Sequence, residues 1–307
     1  MTVHVPILLQ TIVDALVEPF EKLPEEAAPH WLVDCTFGGG GHTAALLQAL
    51  NAPHGVIAFD QDEGAIERGL ERFSRQVTEG RLKLIHLPFS QAAETLSEHK
   101  VLGLMADLGF SSDQIEDPAR GLSFLREGPL DMRFDSSHGQ SAYEYLSHAT
   151  ESEVAQVILE LGEERFSRKI ASAIVRARSE GGLPRTTTAL ADLIVRSVPS
   201  EARRGRIHAA TRTFQALRIY VNRELEELDQ LLEKVLPQIE IGGRVAVLSF
   251  HSLEDRKVKQ YFKHREGLFR QVHKKPIEAD ESEVALNPRS RSAKLRIAER
   301  KAHEGPR

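Results

Sequence analysis

The sequence predicts an α/β fold, a doubly wound parallel sheet carrying an inserted all-helical domain. Three observations predict it. Short apolar runs alternate with stretches of helical spacing up to Asp107, the pattern of a parallel sheet covered by helices. The first of these runs ends in a glycine-rich loop that opens a helix, as in nucleotide-binding sheets. Strand signals then stop, and return only at Gly242.

The elements follow in order. Leu32–Asp34 reads as the first strand, and Cys35-Thr36-Phe37-Gly38-Gly39-Gly40-Gly41-His42 as a tight loop before a helix over Thr43–Leu50. Val56–Asp60, Leu82–Leu87 and Val101–Asp107 read as three more strands, with helices over Glu63–Gln76 and Gln91–Glu98 between them. Right-handed crossovers put all strand C-termini on one edge, so Gly41, Asp60, Phe89 and Asp107 converge there. Residues 111–209 carry helical patterns such as Glu151–Leu161 and Arg168–Arg178, and a helix opened by Thr186–Thr188. The expected division is therefore 1–110 with 210–307 as the sheet domain, and 111–209 as the insert. The amphipathic stretch Ala209–Val235 brings the chain back to the sheet as one long helix. Gly242–Phe250 is the fifth strand, Leu253–Phe262 a helix, and Phe269–Val272 with Ser292–Ala298 a final antiparallel pair.

Composition narrows the class. The 307-residue chain has a net charge of −5 and one cysteine, Cys35. Intramolecular disulfides and a cysteine zinc cluster are thereby excluded. The histidines are scattered without metal-ligand spacing, so no metal is expected. No apolar stretch approaches the ~18 residues of a membrane span, and no secretory signal opens the chain. A cytoplasmic protein with no membrane partner is the simplest reading. The acidic total hides two basic stretches. Glu201 to Arg223 holds six arginines (203, 204, 206, 212, 218, 223) against one acid, and Asn287 to Arg296 holds four cations and no acid. Either stretch can hold a polyanion, or be a solvated face.

The glycine loop admits two ligands. Gly39-Gly40-Gly41-His42-Thr43-Ala44 fits G-x-G-x-x-A, so a dinucleotide stays open. Asp34 favours S-adenosylmethionine: a carboxylate at the end of the first strand suits an ammonium and repels a pyrophosphate. Asp60, about 20 residues on, can accept bonds from ribose hydroxyls of either cofactor. Asp107, followed by Leu108-Gly109-Phe110-Ser111-Ser112, can hold an exocyclic amine for in-line methyl transfer, with Phe110 stacking on a flipped base. It can equally cap the next turn. After the fifth strand comes Ser249-Phe250-His251-Ser252-Leu253-Glu254-Asp255-Arg256. His251 can accept a proton or position substrate, and Ser252 can cap the helix with Asp255 as its box partner. A hydrolase triad finds no G-x-S-x-G elbow here. Gly128–Asp135 mixes two acids with Arg133, either lining a substrate entrance or pairing internally.

Ten stretches in order give the chain a specific likeness. They include Asp34–His42, Pro88-Phe89-Ser90, Asp107–Ser112, Arg120–Phe124, Gly128–Arg133, Gly162–Phe166, Ala210–Ile219, Ser249–Arg256 and Asn287-Pro288-Arg289, and they begin at His4–Leu9. In these the chain resembles the RsmH (MraW) family over nearly its whole length. The resemblance implies a Rossmann-like class I SAM-dependent methyltransferase sheet with a helical insert. It implies N4-methylation of a cytidine in 16S rRNA near the decoding centre of the small ribosomal subunit, and it leaves a homodimer open. Its S-adenosyl-L-methionine contacts carry over to Gly40, Gly41, His42, Asp60, Phe89, Asp107 and Gln114. Asp107 and His251 are the candidate catalytic residues. The chain departs from the family pattern in a fourth loop glycine and in Phe110.

Overall fold

The computed structural model describes residues 6–109, 115, 117–205 and 207–302. One seven-stranded sheet runs in the order β3-β2-β1-β4-β5-β7-β6. The strands are β1 (Trp31–Asp34), β2 (Gly55–Asp60), β3 (Leu82–His86), β4 (Val101–Asp107), β5 (Ile239–Ser249), β6 (Phe269–Gln271) and β7 (Lys294–Arg300). β1 to β5 pair in parallel, and β7 pairs antiparallel with both β5 and β6. The parallel strands and the final antiparallel pair are as expected. The order switches direction between β1 and β4, where α/β sheets open their ligand crevice.

Strand periodicity explains how the sheet is buried on both faces. Leu32, Val56 and Ala58 lie in one apolar cluster, and Val33, Ile57 and Phe59 in the other. A helix that the sequence reading left unassigned, Leu9–Glu21, covers the first face with Ile12, Val13, Leu16 and Phe20. The second face is covered by Leu228, Leu231, Leu232 and Val235, and by Val258 and Phe262 of the helix Ser252–His264.

Two predicted helices are broken. Glu63–Gln76 divides into Glu63–Arg72 and Ser74–Thr78 because Phe73 turns inward, its ring 6.0 Å from that of Phe37. The long helix over Ala209–Val235 stops at Val221 and resumes at Glu224. Asn222 ends it: its side chain accepts the Phe134 N–H at 2.7 Å and donates to the Met132 carbonyl at 2.8 Å. Arg223 follows with φ of 50°.

The chain forms two compact units, 1–109 with 225–307, and 110–224. The return to the sheet unit thus falls at 225, where the sequence reading put it at 210. The physical reason is the helix Thr211–Val221, whose Phe214 and Leu217 join the helical core with Leu146, Ile158, Ile170, Leu190 and Ile194. Among the described residues this second unit contains helices and no sheet strand. Capping boxes at Ser141/Glu144 and Thr150/Glu153 start two of those helices, and Thr186 caps a third.

Candidate active site

The C-terminal ends of β1, β2 and β4 bring Asp34, Asp60 and Asp107 into one electrostatic neighbourhood. The charge of Asp34 acts on both of the others. The loop between β1 and the helix Gly41–Ala49 is built around these acids. The Phe37 N–H donates to the Phe59 carbonyl at 2.9 Å. The Gly38 N–H donates to Asp60 Oδ2 at 2.7 Å. Gly38 and Gly40 hold φ of 53° and 71°, a region that favours glycine. A Cβ on Gly40 would lie 2.8 Å from ring carbons of Phe37 and Phe73, and one on Gly41 would lie 2.5 Å from Pro6 Cγ. Gly39 has no such neighbour within 4 Å. Packing within the protein therefore requires Gly40 and Gly41, and Gly39 is the glycine that opens onto free space.

Asp34 does not do what the sequence reading expected. It is fully buried, so it cannot meet a ligand's ammonium. Instead it accepts the Thr36 N–H at 3.1 Å and the Thr43 hydroxyl at 2.7 Å. Burial pushes its carboxyl up, and the Thr43 bond opposes that. Asp60 is half-buried and accepts the Gly38 and Asp62 N–H groups, one on each oxygen. A carboxylate has about four acceptor sites, so the remaining two suit a pair of ribose hydroxyls. Phe89 opens a short turn after β3 and packs, half-buried, against the second apolar cluster.

Asp107 ends β4, and its N–H donates to Thr36 Oγ1 at 2.8 Å. Thr36 thus ties β1 to β4. The Asp107 carboxyl keeps 24% exposure, yet burial pushes it up to about 6. The charges of Asp34 and Glu254 add to that rise, and His42 opposes it. His42 Nδ1 lies 3.8 Å from Asp107 Oδ2, and its Nε2 is 3.2 Å from the Ile7 carbonyl. A carbonyl only accepts, so Nε2 carries the hydrogen.

His251 follows β5 and is itself the N-cap of the helix Ser252–His264. Ser252 is therefore the first helical residue, and the box partner is Glu254 in place of Asp255. The Glu254 carboxylate accepts the Phe250 N–H at 2.8 Å and the His251 N–H at 3.3 Å. Its other oxygen lies 3.1 Å from His251 Nε2. Sequence reasoning missed Glu254, although its spacing from residue 251 matches a box.

Gln114, Phe110, Ser111 and Ser112 lie outside the described residues, as does Arg206. The basic stretch of the helical unit is partly committed to structure. Arg218 pairs with Glu224 through two bonds, at 2.7 and 2.9 Å. Arg203 donates to the Val198 and Arg196 carbonyls, and Arg212 to that of Glu163. Arg133 makes two bonds to Asp131, the internal pairing.

A profile of the MraW methylase family matches residues 1–301. The chain belongs to that family. A relative from Citrifermentans bemidjiense, named ribosomal RNA small subunit methyltransferase H, is 46% identical over 289 residues, which is 87% of this chain and 91% of that protein. One of the same name from Delftia acidovorans is 44% identical over 310 residues, covering 97% and 96%. This MraW-family chain is accordingly a methyltransferase, and the dinucleotide alternative falls. The donor set fits a methylating cofactor: Asp60 retains acceptor capacity at the end of β2, and the carboxylates of Asp60 and Asp107 favour a cationic sulfonium over a pyrophosphate.

Proposed function

We propose that this methyltransferase transfers the methyl group of S-adenosyl-L-methionine to N4 of a cytidine in 16S rRNA, near the decoding centre of the small ribosomal subunit, in the cytoplasm. The observation that carries the reading is Asp107, a carboxylate at the end of β4 that keeps 24% exposure, with its carboxyl pushed up to about 6. At pH 7 it is ionised by about tenfold over its acid form, so it accepts a hydrogen bond from an exocyclic amine.

Gly40, Gly41, His42, Asp60, Phe89, Asp107 and Gln114 are the proposed cofactor contacts. Asp60 takes the ribose hydroxyls, and the loop backbone at Gly39–Gly41 gives the close approach. When bound, the sulfonium supplies an electrophilic methyl carbon. Asp107 orients the amine so that its lone pair points along the C–S axis, where alignment is most of the catalysis. His251 receives the proton released once nitrogen is alkylated. The helical unit is the proposed substrate-recognition domain, with Arg204 and Arg223, both exposed, as phosphate contacts.

The test is incubation with labelled S-adenosyl-L-methionine and small subunits lacking the modification, followed by mass spectrometry of rRNA nucleosides. N4-methylcytidine in 16S rRNA is the expected product. Label confined to protein, or none, defeats the reading.

A further inference from the structure

We propose that Glu254 is the positioning residue that holds His251 as the proton acceptor of the methyl transfer; this rests on the reading of function above. The His251 side chain is 7% exposed, and among the described residues neither of its ring nitrogens makes a well-aligned hydrogen bond. A buried imidazole left unsatisfied is costly, so such a group calls for a use. The Glu254 side chain, 3% exposed, lies 3.1 Å from Nε2. It cannot swing away, because its second oxygen accepts the N–H groups of Phe250 and His251.

The pair stands beside the acid that orients the amine. β5 runs next to β4, with Asp107 opposite Leu248, and the charge of Glu254 acts on Asp107. His42 approaches Asp107 as well. Its Nε2, however, is committed to the Ile7 carbonyl, and among the described residues no carboxylate holds that ring from behind. Of the two histidines, and among the described residues, only His251 has a buried carboxylate at one nitrogen and a second nitrogen without a well-aligned bond.

The chemistry balances. The N4 lone pair forms the N–C bond as the C–S bond breaks, and the sulfur keeps the bonding electrons. The alkylated nitrogen becomes acidic and passes one proton to His251 Nδ1. Glu254 keeps the hydrogen on Nε2, which leaves Nδ1 basic, and it stabilises the imidazolium. Solvent then removes the proton. The off-axis Nε2 contact tightens when the site is filled, as catalytic hydrogen bonds often do.

The experiment compares Glu254→Gln, His251→Gln and the double variant with wild type on small subunits. Glu254→Gln keeps an oxygen acceptor for the two N–H groups and replaces the carboxylate oxygen facing Nε2 by an NH2 donor, removing both the charge and the acceptor at that nitrogen. Its kcat is expected to fall tenfold or more, with KM for S-adenosyl-L-methionine and for subunits within twofold. The double variant is expected to be no worse than His251→Gln. Nitrogen-15 shifts of His251 in the wild-type protein are expected to show the neutral Nε2–H tautomer, a readout that needs neither a variant nor a substrate. A dominant Nδ1–H tautomer, a kcat within twofold of wild type, or losses that multiply in the double variant overturn the proposal. Wild type that labels no rRNA overturns the functional reading and this role with it; wild type and Glu254→Gln that label equally fast overturn this role alone.

Discussion

Replacing Asp107 by asparagine separates charge from shape at the proposed centre. The native carboxyl titrates at about 6 instead of the usual 3.8. Two pKa units correspond to about 3 kcal/mol, which the folded protein loses when the group ionises. The side chain keeps 24% exposure, and screening brings the figure nearer about 2 kcal/mol. The sign follows from proton linkage. Between pH 3.8 and 6 the folded state binds more protons at this site than the unfolded chain, so native stability falls as pH rises. Asparagine has no such dependence. Melting temperatures measured across pH 4–8 should therefore coincide, apart from a constant offset, near pH 4. They should diverge through pH 6 and stay roughly 4–8 °C apart above it, with the variant the more stable. The same variant should methylate at least tenfold more slowly. A gap identical at pH 4 and pH 8 would refute the burial argument.

Other perturbations probe the frame of the site. Thr43→Val strips a donor from the buried Asp34 carboxylate and should cost about 1–3 kcal/mol in chemical denaturation at pH 7. Because burial raises the Asp34 carboxyl, that deficit should shrink as the pH falls and the group protonates. Gly40→Ala must hold φ near 71° against two phenylalanine rings, and titration calorimetry should show S-adenosyl-L-methionine binding at least tenfold weaker. Arg218→Met leaves the buried Glu224 carboxylate without its partner, for a loss of about 3–5 kcal/mol in urea unfolding. An unchanged urea midpoint would restore Arg218 as a candidate for phosphate.

The strands and the converging acids were legible because both rest on local pattern. Apolar runs such as Val56–Phe59 are buried on both sides, and each ends in the acid or loop that the crossover rule puts on one edge. The helix Leu9–Glu21 is equally legible, since Ile12, Val13, Leu16 and Phe20 share a face at helical spacing. Other features depend on partners distant in the chain. Phe73 breaks a helix because Phe37 awaits it, and Asn222 breaks another because Met132 and Phe134 do. Helical periodicity carries no trace of either contact. The role of Asp34 was misjudged for a related reason: an acid at a strand end looks alike whether it faces solvent or two threonines. Arg218 and Glu224, six residues apart across the break between two helices, likewise form a pair that charge counting takes for a basic surface.

Thr36 receives one hydrogen bond and gives another, with its amide on Asp34 and its hydroxyl under the amide of Asp107. The buried acid that braces the glycine loop and the strand end that carries Asp107 therefore hang from a single peg. A graft that exchanged the glycine loop for that of another enzyme would drag Asp107, the proposed anchor of the nucleobase, along with it. Tuning one half of this catalyst independently of the other would first require a new support for Asp107.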